Sequence, residues 1–137
     1  MPKPNYSGTW GFNPASSALQ IPAPDATTFV IDHSEPVLRI SRTHIAGDKR
    51  DTFSLDLTTD GKEVSLDHDD LRLRCRAYWD GDTIVFDSKL IRAGAEATNV
   101  VRYTLTNSGK TFRAEEQFRS STLNYDNLWI LDRVEPN

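Results

Sequence analysis

The chain has 137 residues, and its 37% hydrophobic and 26% charged residues are typical of a globular domain and exclude a largely disordered chain. Its 16 basic and 20 acidic residues give a net charge of -4 and are interspersed, which argues against nucleic acid as a partner because phosphate binding requires a concentrated basic surface. The single cysteine, Cys75, excludes an intrachain disulfide, and no apolar run approaches the roughly 20 residues of a membrane-spanning helix.

The N-terminal region predicts a first strand around Trp10, followed by one short helix. Asn13 stands where a helix N-cap is expected and Pro14 at the first helical position, which favours a helix over residues 13–20. The prolines at positions 22 and 24 cannot continue a helix, so the helix is predicted to end before them.

From Ala26 onward, apolar and polar residues alternate in short segments, as in half-buried antiparallel strands. Turn-forming residues separate these segments, and we expect a tight connection at each of them. The predicted connections are Ser34-Glu35-Pro36, Ala46-Gly47-Asp48-Lys49, Thr59-Asp60-Gly61-Lys62, Asp80-Gly81-Asp82 and Asn107-Ser108-Gly109-Lys110. The third, the fourth and the last of these are predicted β-hairpins.

Short strands in up-and-down order leave two exposed edges in an open sheet, and closure into a barrel removes both. The sequence therefore predicts an all-β fold, a single closed antiparallel β-barrel of about eight to ten strands with one short helix after the first strand. A two-sheet sandwich is the alternative, but it normally needs longer crossing connections. Residues 1–137 are predicted to form this one domain.

The first and last strands carry a resemblance to a known superfamily. Tyr6-Ser7-Gly8-Thr9-Trp10 at the start and Leu128-Trp129-Ile130-Leu131-Asp132-Arg133-Val134 at the end resemble the Gly-x-Trp and the terminal arginine of the calycins, which include lipocalins and fatty-acid-binding proteins. The layout is also similar to small lipocalin-like bacterial barrels. The resemblance implies that Trp10 closes one end of the barrel and that Arg133 packs across its ring. Fatty-acid-binding proteins carry a two-helix lid, for which residues 13–25 leave too little room.

Polar residues that share the inward face of predicted strands are the candidates for chemistry. They are Arg42, His44, Ser88, Asn99, Tyr103, Glu116 and Asp132. Glu116 lies between the apolar Ala114 and Phe118, and an enclosed carboxylate requires a cationic or hydrogen-bonding partner. One hypothesis is that Arg42, His44 or Tyr103 joins it in a polar patch that orients a ligand. The other, which we favour, is a satisfied internal ion pair or a site near an open barrel mouth.

The predicted function is binding of a small apolar or aromatic molecule inside the barrel. The predicted contacts are Arg42, His44, Phe53, Leu55, Trp79, Phe86, Tyr103, Glu116 and Phe118. One alternative is a cofactor-free isomerase, cyclase or hydratase with Glu116 or His44 as general acid or base. The other is a structural or interaction module whose barrel is filled by its own side chains.

The remaining signals concern partners and compartment. Arg72, Arg74 and Arg76 form a stripe that is expected to be a solvated outer face paired with acids such as Asp87, although it would also suit an anionic partner or RNA. The three histidines lie on separate segments, so no metal and no cofactor are predicted, and His44 is the only candidate for a haem ligand. A homodimer is compatible with the sequence. Without a signal-peptide stretch, we expect a cytoplasmic protein, or a secreted or periplasmic one if a leader was removed.

Overall fold

The computed structural model describes residues 3–134, and these residues contain ten strands in one antiparallel sheet. In chain order the strands are β1 Gly8–Phe12, β2 Ala26–Ser34, β3 Val37–Ala46, β4 Lys49–Thr58, β5 Val64–His68, β6 Leu71–Asp80, β7 Thr83–Arg92, β8 Ala95–Thr106, β9 Thr111–Ser120 and β10 Asn124–Arg133. A single 3-10 turn, Asn107–Gly109, joins β8 to β9. None of the described residues forms a helix long and apolar enough to cross a membrane.

The sheet curls into a barrel because the first strand pairs with the last. The order of hydrogen-bonded neighbours is β4-β3-β2-β1-β10-β9-β8-β7-β6-β5, so β1 joins the two halves of the sheet. Trp10 on β1 is opposite Arg133 on β10 and Phe29 on β2. The predicted up-and-down barrel is confirmed, and it is nearly closed, since β4 and β5 face each other without a hydrogen-bonded ladder between them.

Most of the predicted turns connect paired strands. Gly81 and Asp82 form a two-residue loop between Asp80 and its partner Thr83, and Gly81 has φ 62°. That left-handed conformation is the one for which glycine is favoured. The connections after β2, β3 and β8 also join antiparallel neighbours, as predicted.

The predicted hairpin at Thr59–Lys62 is wrong, because its flanking strands are the two that do not pair. The loop instead crosses to β6, where Gly61 N–H donates to the Ala77 carbonyl at 2.8 Å, and Asp60 makes a β-bridge with Tyr78. Thr59 N–H donates to the Pro36 carbonyl at 2.9 Å. These contacts satisfy the loop backbone without a β4–β5 ladder, which leaves the seam of the barrel here.

The predicted helix over residues 13–20 is also wrong. Asn13 does begin a turn, since its carbonyl accepts from Ser16 N–H at 3.3 Å and from the Ser17 hydroxyl at 2.7 Å. The chain then becomes extended, and Ala18 exchanges two backbone hydrogen bonds with Leu128 of β10, of 2.9 and 2.8 Å. Nucleation of a helix this short is unfavourable in free energy. Pairing of Ala18 with Leu128 satisfies the same backbone groups and extends the pairing between the N-terminal region and β10 that begins at β1.

A carboxylate ties the β2–β3 turn to the seam. Glu35 accepts hydrogen bonds from His33 Nε2 at 2.7 Å, from Trp79 Nε1 at 2.9 Å and from the Thr59 hydroxyl. His33 is buried and its other ring nitrogen, Nδ1, accepts from Tyr6 N–H at 3.1 Å. We call these residues the Glu35 cluster; they join the N-terminal segment, the β2–β3 turn, the β4–β5 loop and β6.

A layer of aromatic side chains fills the barrel next to the Glu35 cluster. We call this end of the barrel, with the layer and the cluster, the closed end. Trp10 and Phe112 are fully buried and meet edge to face with ring centroids 5.1 Å apart. Tyr103 lies 4.8 Å from Phe112 and 4.4 Å from Phe86, also between centroids. Edge-to-face and tilted ring pairs add to the free energy gained by burial, so this layer stabilises the closed end of the barrel.

Candidate functional site

A cavity of about 340 Å³ lies on the other side of the aromatic layer. Its apolar wall comes from inward positions of β2 to β4 and β6 to β10: Phe29, Ile40, Phe53, Leu55, Leu71, Leu73, Cys75, Phe86, Leu90, Val101, Tyr103, Ala114 and Trp129. Exposed charged residues at three turns, Asp51, Asp69 and Arg92, also line it. The cavity therefore reaches solvent at this end, which we call the mouth.

All but two of the predicted ligand contacts line this cavity. They are Arg42, His44, Phe53, Leu55, Phe86, Tyr103 and Glu116. Alternation along each strand brings them to one interior, because side chains two residues apart point to the same face. Ser88 and Asn99, which share the same inward parity, line it too.

Trp79 lies outside the cavity, although its face was predicted correctly. It stands at the end of β6 next to the Gly81 turn, where its ring contacts Tyr6 and His33 at centroid distances of 6.2 and 5.9 Å. Its indole N–H donates to Glu35. Alternation assigns a side chain to a face of the sheet and not to a height in the barrel, and Trp79 belongs to the closed end.

Phe118 is also outside the cavity lining. Its ring stacks on Tyr125, its partner in the β9–β10 register, with centroids 4.7 Å apart and an interplanar angle of 6°. Asp132, which was expected on or near the inward face, is exposed and accepts from Asn13 Nδ2 at 2.8 Å and the Thr111 hydroxyl at 2.9 Å. The buried residues of β10 are Asn127, Trp129 and Leu131, so Asp132 falls on the outer face.

Glu116 is held by three neutral N–H donors. Its Oε1 accepts from Asn127 Nδ2 at 2.8 Å and from Trp129 Nε1 at 3.0 Å, and its Oε2 accepts from Asn99 Nδ2 at 2.9 Å. No arginine, lysine or histidine of residues 3–134 with a described side chain forms an ion pair with it. The expected contact with Arg42, His44 or Tyr103 is thus replaced by hydrogen bonds from β8 and β10.

Asn127 was missed in the sequence, although a signal for it was present. It stands two and four residues before Trp129 and Leu131, on the same inward face of β10, and it is directly opposite Glu116 in the register. Its Oδ1 accepts from Gln20 N–H at 2.8 Å, which leaves its Nδ2 to face Glu116. The extended segment that replaces the predicted helix therefore sets the orientation of this amide.

Arg42 lies on the wall nearer the mouth. Its Nη2 is 3.5 Å from Asp51 Oδ2, and its guanidinium carbon lies 5.4 Å from the centroid of Phe53. Its Nε is buried and has no hydrogen-bond partner among the described residues. Arg42 is thus tied to the rim by an ion pair and an aromatic contact, with one donor left unsatisfied.

His44 is an uncharged ring at neutral pH. Burial, together with the nearby charge of Arg42, lowers its pKa to about 4, against an opposing effect of Asp51 and Glu116. Its Nδ1 is 2.6 Å from the Thr27 hydroxyl, and its ring stacks on Trp129 at 5.7 Å. The histidine therefore adds an aromatic surface to the wall rather than a charge.

Two other ionisable groups on the wall are kept neutral by burial. Burial raises the pKa of the Tyr103 hydroxyl well above its ordinary value, and the charge of Arg42 opposes this shift. Burial also raises the pKa of the Cys75 thiol, whose sulfur accepts from the Ser88 hydroxyl at 3.2 Å. Among the described residues no group of His, Cys, Asp and Glu is arranged to hold a metal ion.

Trp10 and Arg133, the two residues expected to close the barrel, are in contact at the closed end. The guanidinium carbon of Arg133 lies 4.3 Å from the centroid of the buried Trp10 ring. Arg133 Nη1 donates to the Ser7 carbonyl at 2.9 Å and Nη2 to the Gly109 carbonyl at 3.1 Å. These contacts fasten the last strand to the first strand and to the β8–β9 turn.

The arginine stripe of β6 lies on the outer face. Arg72, Arg74 and Arg76 are exposed, and Arg76 Nη2 is 3.2 Å from Asp87 Oδ2 on the neighbouring strand. Arg72 Nε is 3.4 Å from Asp67 Oδ1. Two of the three guanidinium groups are therefore paired with acids across strands.

Solved structures share the fold of this chain, whereas the sequence comparisons found no family. No protein-family model and no curated protein sequence matches the chain. Secretory abundant heat soluble protein 4 from Ramazzottius varieornatus is 17% identical with a TM-score of 0.62, and the match covers 98% of this chain and 99% of that chain. A second secretory abundant heat soluble protein of that organism is 9% identical with a TM-score of 0.68, covering 98% of both chains.

A third solved structure, the zebrafish ileal bile acid-binding protein complexed with cholic acid, is 10% identical with a TM-score of 0.62. The match covers 94% of this chain and 98% of that chain. Together these structures show the same barrel fold, which is the fold that the resemblance at Trp10 and Arg133 implied. At such low identities the likeness concerns the fold alone.

Proposed function

We propose that this calycin-like barrel binds a small, mainly apolar molecule in the cavity between the aromatic layer and the mouth. The observation that carries the proposal is the cavity itself, about 340 Å³ of space inside a domain of only 137 residues. Protein interiors are normally close-packed, and few voids exceed the size of a water molecule. Ligand pockets measure roughly 300–1,000 Å³, so this volume suits a small ligand.

The composition of the wall supports an apolar ligand. Phe29, Phe53, Phe86 and Leu73 contribute hydrocarbon surface from four strands, and burial of a ligand against it is worth roughly 25 cal/mol per Å² removed from water. A few polar groups converge on the same space, which is the usual arrangement for orienting a ligand. The zebrafish protein of similar fold, which is complexed with cholic acid, provides an analogy for a ligand in such a barrel.

A matched pair of substitutions tests the proposal. Val101 points into the cavity and Val100, its neighbour on β8, points to the outer face next to Asp87 and Gln117. Val101→Trp fills the cavity with a bicyclic ring, whereas Val100→Trp adds the same ring outside. Binding of the neutral dye Nile red is followed by fluorescence titration, and its stoichiometry by native mass spectrometry.

We expect saturable 1:1 binding to the wild type and to Val100→Trp, and at least about tenfold weaker binding to Val101→Trp. Circular dichroism checks that both variants keep the β-sheet spectrum. Equal dye affinity in all three proteins would locate the dye outside the barrel and contradict the proposal.

A further inference from the structure

The Glu116 carboxylate is a negative charge on the cavity wall, and no cationic side chain that the structure describes forms an ion pair with it. Its partners, Asn99, Asn127 and Trp129, are all uncharged N–H donors. A carboxylate offers about four acceptor positions, and three are used. The remaining position is on Oε2, beside Asn99.

Asn99 adds a second unsatisfied acceptor at the same place. Its Nδ2 donates to Glu116, and its Oδ1 is buried without a hydrogen-bond partner among the described residues. The amide cannot turn its oxygen toward the carboxylate, since two acceptors would then face each other. This part of the wall therefore has acceptors in excess of donors.

The charged side chains among the described lining residues also sum to a negative value. Two of these residues are cations, Arg42 and Arg92, and three are carboxylates, Asp51, Asp69 and Glu116, which gives 2 minus 3, or -1. Arg42 is paired with Asp51 at 3.5 Å, and Arg92 Nε lies 3.1 Å from Asp70 at the rim. These ion pairs join both arginines to other carboxylates than Glu116, and His44 is uncharged at neutral pH.

We infer that the ligand of this cavity carries a protonated amine that docks against Glu116, with its apolar part against the aromatic wall; this inference rests on the proposed binding function. Glu116 is already fixed inside the fold by Asn127 and Trp129, so its desolvation and ordering do not have to occur on binding. The Trp129 and Tyr103 rings line the same cavity as Glu116 and add aromatic surface to this wall. The competing outcome is a ligand with an anionic head group bound at Arg42, because the Nε of Arg42 is a buried donor without an acceptor among the described residues.

The experiment compares three probes with one hydrocarbon chain and different head groups. Decylamine, decan-1-ol and decanoate are titrated at pH 7 by displacement of Nile red and by native mass spectrometry. At this pH a primary amine is protonated and a carboxylic acid is ionised. We expect decylamine to bind at least about tenfold more tightly than decan-1-ol, the factor for one charge-assisted hydrogen bond, and decanoate to bind most weakly.

Two glutamates on one strand give the matched variants. Glu116→Gln keeps the size and the acceptor for Asn127 and Trp129 but removes the charge, and we expect the preference for decylamine to disappear. Glu115→Gln removes a charge of the same sign from the outer face, where Glu115 Oε1 lies 3.3 Å from Arg113 Nε. We expect the preference for decylamine to persist in this variant. If Glu116→Gln does not fold by circular dichroism, the wild-type ranking decides alone.

The outcomes separate this inference from the proposed function. If decan-1-ol binds the wild type as tightly as decylamine, the amine is refuted while apolar binding stands. If decanoate binds most tightly, Arg42 governs the head group and the inference is overturned. If none of the probes and no dye binds, the binding function fails together with it.

Discussion

Loss of the Glu35 carboxylate is predicted to loosen the seam of the barrel. Glu35→Ala removes the acceptor for His33 Nε2, Trp79 Nε1 and the Thr59 hydroxyl at once. His33 and Thr59 are each only 5% exposed, so their donors cannot all be rehydrated without movement of the chain. A buried donor without a partner costs its desolvation free energy, which is the physical basis of the prediction.

The size of the effect follows from the three hydrogen bonds. A hydrogen bond to a charged group contributes about 1.5–3 kcal/mol when buried. The Glu35 side chain is 43% exposed, so water screens the charge, and we take about 1 kcal/mol for each donor. The expected loss of unfolding free energy is roughly 3 kcal/mol, which lowers Tm by about 10 °C in a domain of this size.

Urea denaturation followed by tryptophan fluorescence and circular dichroism measures this loss. Glu63→Gln, which alters an exposed glutamate of the same β4–β5 loop, is the control and is expected to stay within about 0.5 kcal/mol of the wild type. Glu35→Gln, which retains a neutral acceptor, is expected to lie between the two. An unchanged urea midpoint for Glu35→Ala would refute the idea that this cluster holds the seam.

The same cluster predicts a pH dependence. Burial raises the pKa of Glu35, but hydrogen bonds from Thr59, Trp79 and His33 outweigh it, so the pKa lies below its ordinary value of 4.5. A carboxyl with a lowered pKa in the folded state stabilises the fold above the unfolded-state pKa, and this contribution is lost as pH falls through the folded-state pKa. The stability difference between wild type and Glu35→Gln should therefore shrink below pH 4.5, and a difference that grows on acidification would contradict this.

Three further predictions concern the closed end and the cavity. Arg133→Gln should lower the free energy of unfolding by about 2–3 kcal/mol, since it removes the contact with Trp10 and the guanidinium hydrogen bonds to the Ser7 and Gly109 carbonyls. Thermal unfolding measures this loss, and a Tm shift below 1 °C would contradict it. Gly8→Ala should also lower Tm, because Gly8 has φ 144° and an added Cβ would collide with Arg133 Nη1; a Tm equal to the wild type would refute this conflict. The pKa of the His44 ring, measured by NMR titration, should be about 4 instead of 6.5. The free energy of unfolding should fall as the pH drops from 6.5 toward 4, because only the unfolded state gains the proton in this range. A titration midpoint at 6.5 would contradict the burial of this ring.

Alternation and turn chemistry were sufficient to predict the strands and most of their pairings. The Asp80-Gly81 pair and the alternation around it predicted the β6–β7 hairpin, because a hairpin depends on residues that are close in sequence. The same period of two assigned Tyr103 and Glu116 to the interior, where both line the cavity. These features are local, and local features can be read along the chain.

The errors involve contacts between distant residues. Thr59–Lys62 has the composition of a hairpin turn, yet its backbone bonds to Pro36 and Ala77, which no local pattern indicates. The segment from Asn13 begins with a genuine turn, but pairing of Ala18 with Leu128, 110 positions away, prevents a helix. Long-range pairing outweighs weak local propensity in both places.

The sequence by itself thus determined an all-β barrel and most of the side chains that face inward, because these depend on a period of two and on turn residues; Asp132 and Asn127 are the exceptions on the last strand. Only the tertiary structure decided which inward residues surround empty space and which fill the closed end, as Trp79 does. It also decided that Glu116 is held by the N–H groups of Asn99, Asn127 and Trp129 and by no cation among the side chains it describes. Height along a strand and partners across a barrel depend on register and curvature, which arise when the whole sheet closes on itself.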